Sequence, residues 1–408
     1  MKIISNEIIE FLKNHFSKHI ENIHFSNNAK SYIKTLFEII HEANVEFANA
    51  TIEYEVLTNA DFLYNTSFNE IDGIIRDYIS TTEKVVKKYK LNLRGRAYNV
   101  FNVHFINDSM NESNVAEKTL KRIYRKMDQQ IRLIYVIIYL QTYMATKLCK
   151  GPLNIYLYMT PFIKTIPSKN NVIDSIHANT GFTHITCDIK TEMHIYREEE
   201  WVKVFIHELF HNVNLDFSTI HNNISKKHIL SLFPINSDVN LAESYCEVWA
   251  EIMNLVLIVF EKSKVWNMRK MIHDFEELLK YERIFSLFQA IKILHHYGLK
   301  YQDLYQNTPG AIEARKSYRE NTNVLAYYII KSLFMFHITQ YIDYVLVQNG
   351  SMQFKLTTKN VEAYCNYVKK IHDDEKYVAH ANAISQWLDH RYRSNKIMKT
   401  LRMTIFEL

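Results

Sequence analysis

Apolar residues recur at helical spacing from Asn6 to about Tyr54, first as Ile8, Ile9, Phe11, Leu12 and Phe16 and then as Tyr32, Ile33, Leu36, Phe37 and Ile40. A 3.6-residue period of this kind predicts a helical opening. The same period predicts one or two long helices over Val115 to Cys149, and further helices over roughly Asn240 to Glu261, Val265 to Tyr297, Asn323 to Gln348 and Val378 to Met403. Two runs break the pattern. Ala97 to Ile106 and Leu153 to Met159 are β-branched and aromatic with partial alternation, and they read as strands. After a loop containing Pro161 and Pro167, short strands are expected at His184 to Ile189 and Met193 to Arg197. Glu198, Glu199 and Glu200 then precede the apolar-periodic Val202, Phe205, Ile206, Leu209, Phe210 and Val213. Carboxylates at the first turn favour a helix start through its dipole.

Composition supports long helices. The 408 residues include only 7 glycines and 5 prolines, too few for a fold of many tight turns. With 47% apolar and 23% charged residues the chain is of ordinary globular type. The net charge of +5 is spread without a Lys/Arg tract, so no polynucleotide partner is indicated. Lys87 to Arg96 is moderately basic, but Tyr89 is its only aromatic, so a solvated basic face is expected rather than a nucleic-acid groove. Neither GxxxxGK followed by Ser or Thr nor GxGxxG occurs. Cys149, Cys187, Cys246 and Cys365 are scattered and form no CxxC, which predicts buried thiols and a reducing compartment. The opening Met1 to Glu7 reaches an acidic residue before an apolar run develops, against a secretory signal. Ile131 to Met144 is too short to span a membrane, and Val324 to Val347 is interrupted by Lys331 and His337. The expectation is a cytoplasmic chain without a membrane span.

The chemistry concentrates in His207-Glu208-Leu209-Phe210-His211, an HExxH inside a strong amphipathic helix. Imidazoles four residues apart lie one above the other on one helix face, so both can reach one Zn²⁺ at about 2.0–2.1 Å. Glu208 beside them suits a general base that accepts a proton from the attacking water. With 19 histidines in 408 residues, chance places an HExxH in roughly one such chain in twenty, so context must decide. The extension HExxHxxGxxH is excluded, because Asn214 stands at the glycine and Phe217 at the third histidine. Asp216 falls one residue too early for the aspartate variant and reads as a loop or helix-end carboxylate.

Downstream, Asn240 to Glu251 predicts a second helix on which Glu243 and Glu247 share a face, as do Glu247 and Glu251. One carboxylate of such a pair can bind a metal while its i+4 neighbour accepts a hydrogen bond from a ligand histidine. A solvated face is the competing reading of an isolated ExxxE.

HExxH followed some tens of residues later by this acidic pair resembles the gluzincin clan of zinc metallopeptidases, which includes thermolysin and neprilysin. The resemblance covers about 60 residues, Met193 to Met253. It implies that His207, His211 and Glu243 bind Zn²⁺, that Glu208 is the general base and that Glu247 orients a ligand histidine. Glu247 as ligand with Glu251 behind it is the competing register. It also implies that Met193 to Arg197 is an edge strand along which an extended peptide aligns, unless another element closes it. The Asn/Ile/Lys-rich style and the string HELFHNVNLDFS further resemble uncharacterised proteins of large DNA viruses.

An oxyanion-stabilising donor is sought in Tyr327-Tyr328, with Tyr328 the residue named, and in His295-His296-Tyr297. Core packing competes for the tyrosines, and a helix C-terminus before Gly298 competes for the histidines. His177 to Thr183 reads as an ordinary turn or a loop at the cleft rim. Together these readings predict an α+β, predominantly helical protein. Its zincin-like core, with a small mixed sheet, spans residues 96–262 between helical regions 1–95 and 263–408. The expected activity is zinc-dependent hydrolysis of a peptide or protein substrate; a non-catalytic zinc-binding or scaffold protein is the alternative.

Overall fold

The structure is a computed structural model, and it describes residues 3–58, 61–63, 67–106, 113–220, 223–391 and 395–408. Helices α1 (Ile3–Phe16) and α2 (Asn27–Asn49) form the predicted opening and are followed by strand β1 (Glu53–Leu57) and helix α3 (Gly73–Thr81). Strands β2 (Lys84–Leu93) and β3 (Arg96–Phe105), the long helix α4 (Ser113–Met144), strand β4 (Leu153–Tyr158), the short α5 (Ser175–Ala178) and strands β5 (Gly181–Thr183) and β6 (Thr191–Ile195) come next. The rest is helical: α6 (Trp201–Asn212), α7 (Asn223–Leu232), α8 (Leu241–Lys262), α9 (Met268–His296), α10 (Pro309–Arg315), α11 (Lys331–Phe336), α12 (Ile338–Asn349), α13 (Thr358–Ile371), α14 (Glu375–Arg391) and α15 (Lys396–Lys399). The protein is therefore predominantly helical with a small mixed sheet. No helix among the described residues is long and apolar enough to cross a membrane.

Two compact units are present, and neither is a continuous stretch of chain. One comprises Leu36–Ile163 and Asn179–Leu215 and carries the sheet; the other comprises Met1–Thr35, Lys164–Ala178 and Asp216–Leu408 and is helical.

In the sheet-bearing unit the strand order is β1-β2-β3-β4-β6-β5. The β2–β3 hairpin turns at Arg94 and Gly95, both with positive φ, and α4 supplies the crossover to the parallel neighbour β4. Cross-strand partners Phe101 and Tyr156, Tyr156 and His194, and His194 and Phe182 stack with ring centroids 4.7–4.8 Å apart, which pins the register of β3, β4, β6 and β5. β6 pairs with β4 on one side and β5 on the other, so Met193 to Arg197 is not an edge. The short β5 closes it. Gly181 permits that closure, since a Cβ there would lie 2.6 Å from Ile195 Cδ1 and 2.7 Å from the His194 carbonyl oxygen. The expected strand at 184–189 is instead irregular chain.

Lys87 to Arg96 is a solvated basic face only in part: Lys90 and Arg94 are exposed and Lys88 is half-buried. It runs along β2 into β3, where the inward Lys87 and Arg96 are buried; Lys87 Nζ lies 2.9 Å from Asp128 Oδ1 and Arg96 Nε donates to the Gly151 carbonyl at 2.7 Å. Alternation along a strand, rather than composition, decides which cations face water.

The cysteine reading also needs correction. Cys149 and Cys187 form a disulfide with Cα atoms 4.6 Å apart, while Cys246 and Cys365 remain buried thiols. The register explains the pairing: Leu153 of β4 lies opposite Thr191 of β6, and each cysteine sits four residues before its strand's partner residue. Parallel pairing thus brings two residues 38 positions apart side by side. The argument for a reducing compartment loses its basis.

In the helical unit α8 and α9 form the core with the segment 325–336. Leu325–Ile330 is a π-helical turn that continues into α11, and His337 separates α11 from α12, so the single helix expected over Asn323 to Gln348 is broken. The helix expected over Val378 to Met403 is instead α14, which ends at Arg391, and the separate short α15, and residues 400–407 follow as irregular, buried chain.

Candidate metal centre

Helix α6 packs on β5, β6 and α4, and Gln141 Nε2 of α4 donates to the Ile206 carbonyl at 2.8 Å. All twelve of its residues are buried, including His207, Glu208 and His211. The amphipathic pattern thus gives way to a helix enclosed on every side. A buried carboxylate and two buried imidazoles are costly unless they serve one another or a ligand. Glu200 precedes the helix in the left-handed conformation, with φ 59°, so the three glutamates lie just before the first turn. At the other end Asn214 takes φ 55°, and Leu215 N–H bonds back to the Phe210 carbonyl at 3.0 Å, a Schellman-type closure. Asparagine tolerates that left-handed position where most residues do not.

The HExxH spacing places the Nε2 atoms of His207 and His211 3.2 Å apart, with rings inclined at 75°. Two nitrogens bound to one tetrahedral zinc at about 2.0–2.1 Å are separated by about 3.3 Å. The pair therefore has the spacing that a shared metal requires. His207, His211 and Glu243 each offer a ligand atom, and these atoms all lie within 4.8 Å of one another, so the three are able to hold a metal ion. Neutral imidazoles and a carboxylate form a donor set that suits zinc.

Glu243 is presented by the first turn of α8. Asn240 caps that helix, its side chain accepting from Ala242 N–H at 3.2 Å, and its amide donates to Glu243 Oε1 at 3.1 Å. A carboxylate in a first turn is further favoured by the helix dipole. Asn240 therefore both starts the helix and aims the carboxylate. Its signal in the sequence, an Asn one residue before an apolar-periodic run, was passed over.

Glu247 and Glu251 run inward along α8 to Lys331. Lys331 Nζ lies 2.8 Å from Glu251 Oε2 and 3.7 Å from Glu247 Oε2, with all three side chains at most 4% exposed. Burial works against the ammonium charge, but Glu251 and then Glu247 outweigh it and hold Lys331 above the ordinary lysine range. Burial raises Glu282 well above the carboxylate range, and the Glu251 charge adds to it. The cluster is thus one cation among carboxyl groups, and burial opposes the charge of Glu282.

A second group shares one imidazole: His211, Asp216 and Cys246 also offer atoms within 4.8 Å of one another. Asp216 is buried; it accepts from Ser218 Oγ at 3.0 Å, and its Oδ2 lies 3.4 Å from Cys246 Sγ. Asp216 lies in the loop that follows α6, where a loop or helix-end carboxylate is expected, and it is buried there. Sequence reasoning missed Cys246 as a metal donor, although it lies three residues after Glu243 and one before Glu247.

Tyr328 is buried, and its hydroxyl donates to the Leu401 carbonyl at 2.6 Å. His295 faces Asp389 at 3.3 Å, and His296 Nε2 lies 2.8 Å from the Asn171 carbonyl. Tyr196, immediately after β6, is instead the tyrosine that feels the Glu208 charge. Burial raises its pKa, Arg197 opposes this, and Glu208 and Asp72 add to it, so the phenol keeps its proton at neutral pH. His177 and Ala178 are the last residues of the short α5, and Gly181 to Thr183 forms β5, so that stretch is not an ordinary turn.

No protein-family model, no curated protein and no solved structure matches the chain.

Proposed function

We propose that this chain is a zinc-dependent metallopeptidase with a zincin-like catalytic core, acting on a peptide or protein substrate. The reading rests on one observation above the others: two imidazoles of an HExxH helix at 3.2 Å, with the Glu243 carboxylate completing a three-donor group. In it, His207 and His211 bind zinc through Nε2 and Glu243 through its carboxylate, which the Asn240 amide holds in place. Zinc, when bound, supplies Lewis acidity, lowering the pKa of a water and polarising a carbonyl. Glu208 takes the proton of the attacking water and then delivers it to the leaving amine, because it is the carboxylate adjacent to the first imidazole on the same helix. Glu247 stands one turn beyond Glu243 and orients a ligand histidine, as the gluzincin resemblance implies. Tyr196 retains a proton beside the Glu208 charge and is available as a donor.

Glu208→Gln should retain one zinc per chain and lose about 10²–10⁴-fold in peptide hydrolysis. His211→Ala should lose the metal. Hydrolysis that persists in purified Glu208→Gln, or wild-type protein without stoichiometric zinc, overturns the reading.

The His211, Asp216 and Cys246 group supports a second reading, a non-catalytic zinc-binding protein whose metal rests on a thiolate. Cys246→Ser separates the two. It keeps its zinc in the peptidase and loses it in the alternative.

A further inference from the structure

Residues 400–407 lie in the core of the helical unit, yet they form neither helix nor sheet beyond a single bridge from Thr400 to Thr165. Their main-chain groups are satisfied largely by side chains of the surrounding helices. Tyr328 Oη donates to the Leu401 carbonyl at 2.6 Å, Gln289 Nε2 to that of Arg402 at 2.5 Å, Lys331 Nζ to that of Met403 at 2.7 Å and Asn254 Nδ2 to that of Phe406 at 3.0 Å. Lys292 Nζ donates to the carbonyls of Ile397, at 2.9 Å, and Thr400. Glu282 Oε1 accepts from the N–H groups of Ile405, at 2.7 Å, and Phe406, at 3.1 Å.

This is an unusual use of core positions. Gln289, Lys292 and Glu282 are buried on a helix whose neighbouring core residues are Phe285, Phe288 and Ile293. Each buried polar group without a partner would cost about 1–3 kcal/mol, so these residue types make sense only with a main chain in front of them. Lys292 carries the cost furthest, since burial drives it well below the ordinary lysine range while it donates to two carbonyls. The segment also pairs charges of its own, with Arg402 Nη2 2.8 Å from Glu407 Oε1. Its apolar residues Leu401, Met403, Ile405 and Phe406 are buried.

We propose that α8, α9 and the 325–336 segment form a binding groove for an extended peptide, read through its main chain, and that residues 400–407 are the groove's occupant in cis. The ligand class is an extended peptide of about eight residues rich in apolar side chains, because most contacts go to its carbonyl and N–H groups, with Thr404 also held through its hydroxyl, which donates to Glu282 Oε1 at 2.7 Å. The assignment is independent of the metal chemistry proposed above.

The test uses the full chain. A specific protease site is built into 392–394, the folded protein is cut, and a fluorescent synthetic peptide with the sequence of residues 400–408 is added in excess. The expected result is saturable 1:1 entry of the labelled peptide as the cut fragment leaves, with the far-ultraviolet circular dichroism of the chain unchanged. Lys331→Met, which removes one charge-assisted hydrogen bond, should raise the exchange rate about tenfold or more. The proposal is overturned if the labelled peptide never enters, if the chain unfolds as the fragment leaves, or if Lys331→Met leaves the exchange rate unchanged.

Discussion

Replacing Lys331 with methionine keeps most of the side-chain volume and removes the only cation within ion-pairing distance of Glu251 among the described residues. At an effective dielectric of about 20, a unit pair at the 2.8 Å separation from Glu251 is worth about 6 kcal/mol, and at the 3.7 Å separation from Glu247 about 4–5 kcal/mol. Desolvation of each ion costs several kcal/mol, so the net worth of the cluster against an apolar replacement is small. Removing one partner is different, because it leaves the buried Glu251 carboxylate without its cation and takes the Lys331 hydrogen bond from the Met403 carbonyl. The expected loss is about 3–5 kcal/mol for Lys331→Met. The double variant Lys331→Met, Glu251→Met should recover most of that loss. Lys331 lies above its ordinary range when folded, so its contribution is fully present below about pH 10 and is lost only above that. The penalty should therefore be flat between pH 6 and 9. Urea unfolding followed by tryptophan fluorescence reads it, since Trp249 and Trp387 belong to the same unit. A penalty below about 1 kcal/mol, or a double variant as unstable as the single one, would refute the reasoning.

Two further outcomes concern stability. Cys149→Ser opens a loop of 38 residues, and the chain-entropy relation puts the loss at about 4 kcal/mol, with the largest effect in the sheet-bearing unit; an unfolding midpoint equal to wild type under oxidising conditions would count against the bond. Glu320 is pushed up to about 7 by burial, although the Ser237 hydroxyl, the Tyr318 hydroxyl and the Leu325 N–H bond it. Its folded pKa exceeds the unfolded value, so the folded state binds more protons between about pH 4.5 and 7, and stability falls by about 3 kcal/mol as pH rises through that window. Glu320→Gln should flatten this slope, and a slope unchanged between pH 5 and 7.5 would show that the carboxyl is not its source.

The tertiary partners change what the chemistry-bearing residues do. Glu251, which the competing register places behind a ligand, pairs instead with Lys331 at 2.8 Å. Tyr328 was weighed as an oxyanion donor, and its hydroxyl holds the Leu401 carbonyl. Asp216, set aside by spacing, lies within reach of His211 and Cys246. In each case the residue type was visible in the sequence, but a deciding partner, Lys331 for Glu251, Leu401 for Tyr328 and Cys246 for Asp216, lay 30 or more positions away, beyond what any local period encodes.

What the sequence determined by itself is local. The 3.6-residue period marked helices α1, α2, α4, α8 and α9, alternation marked β3 and β4, and the four-residue spacing put both imidazoles on one face of α6. These follow from geometry repeated residue by residue along the backbone. Tertiary structure alone decided the rest: that β6 is an interior strand, that equal offsets from a parallel register join Cys149 to Cys187, that Glu243 reaches the histidine pair, and that residues 400–408 leave the helical period to lie along polar core side chains. Each depends on strand register or on the closure of a long loop, and a pattern of apolar positions carries no information about which distant stretch will come alongside.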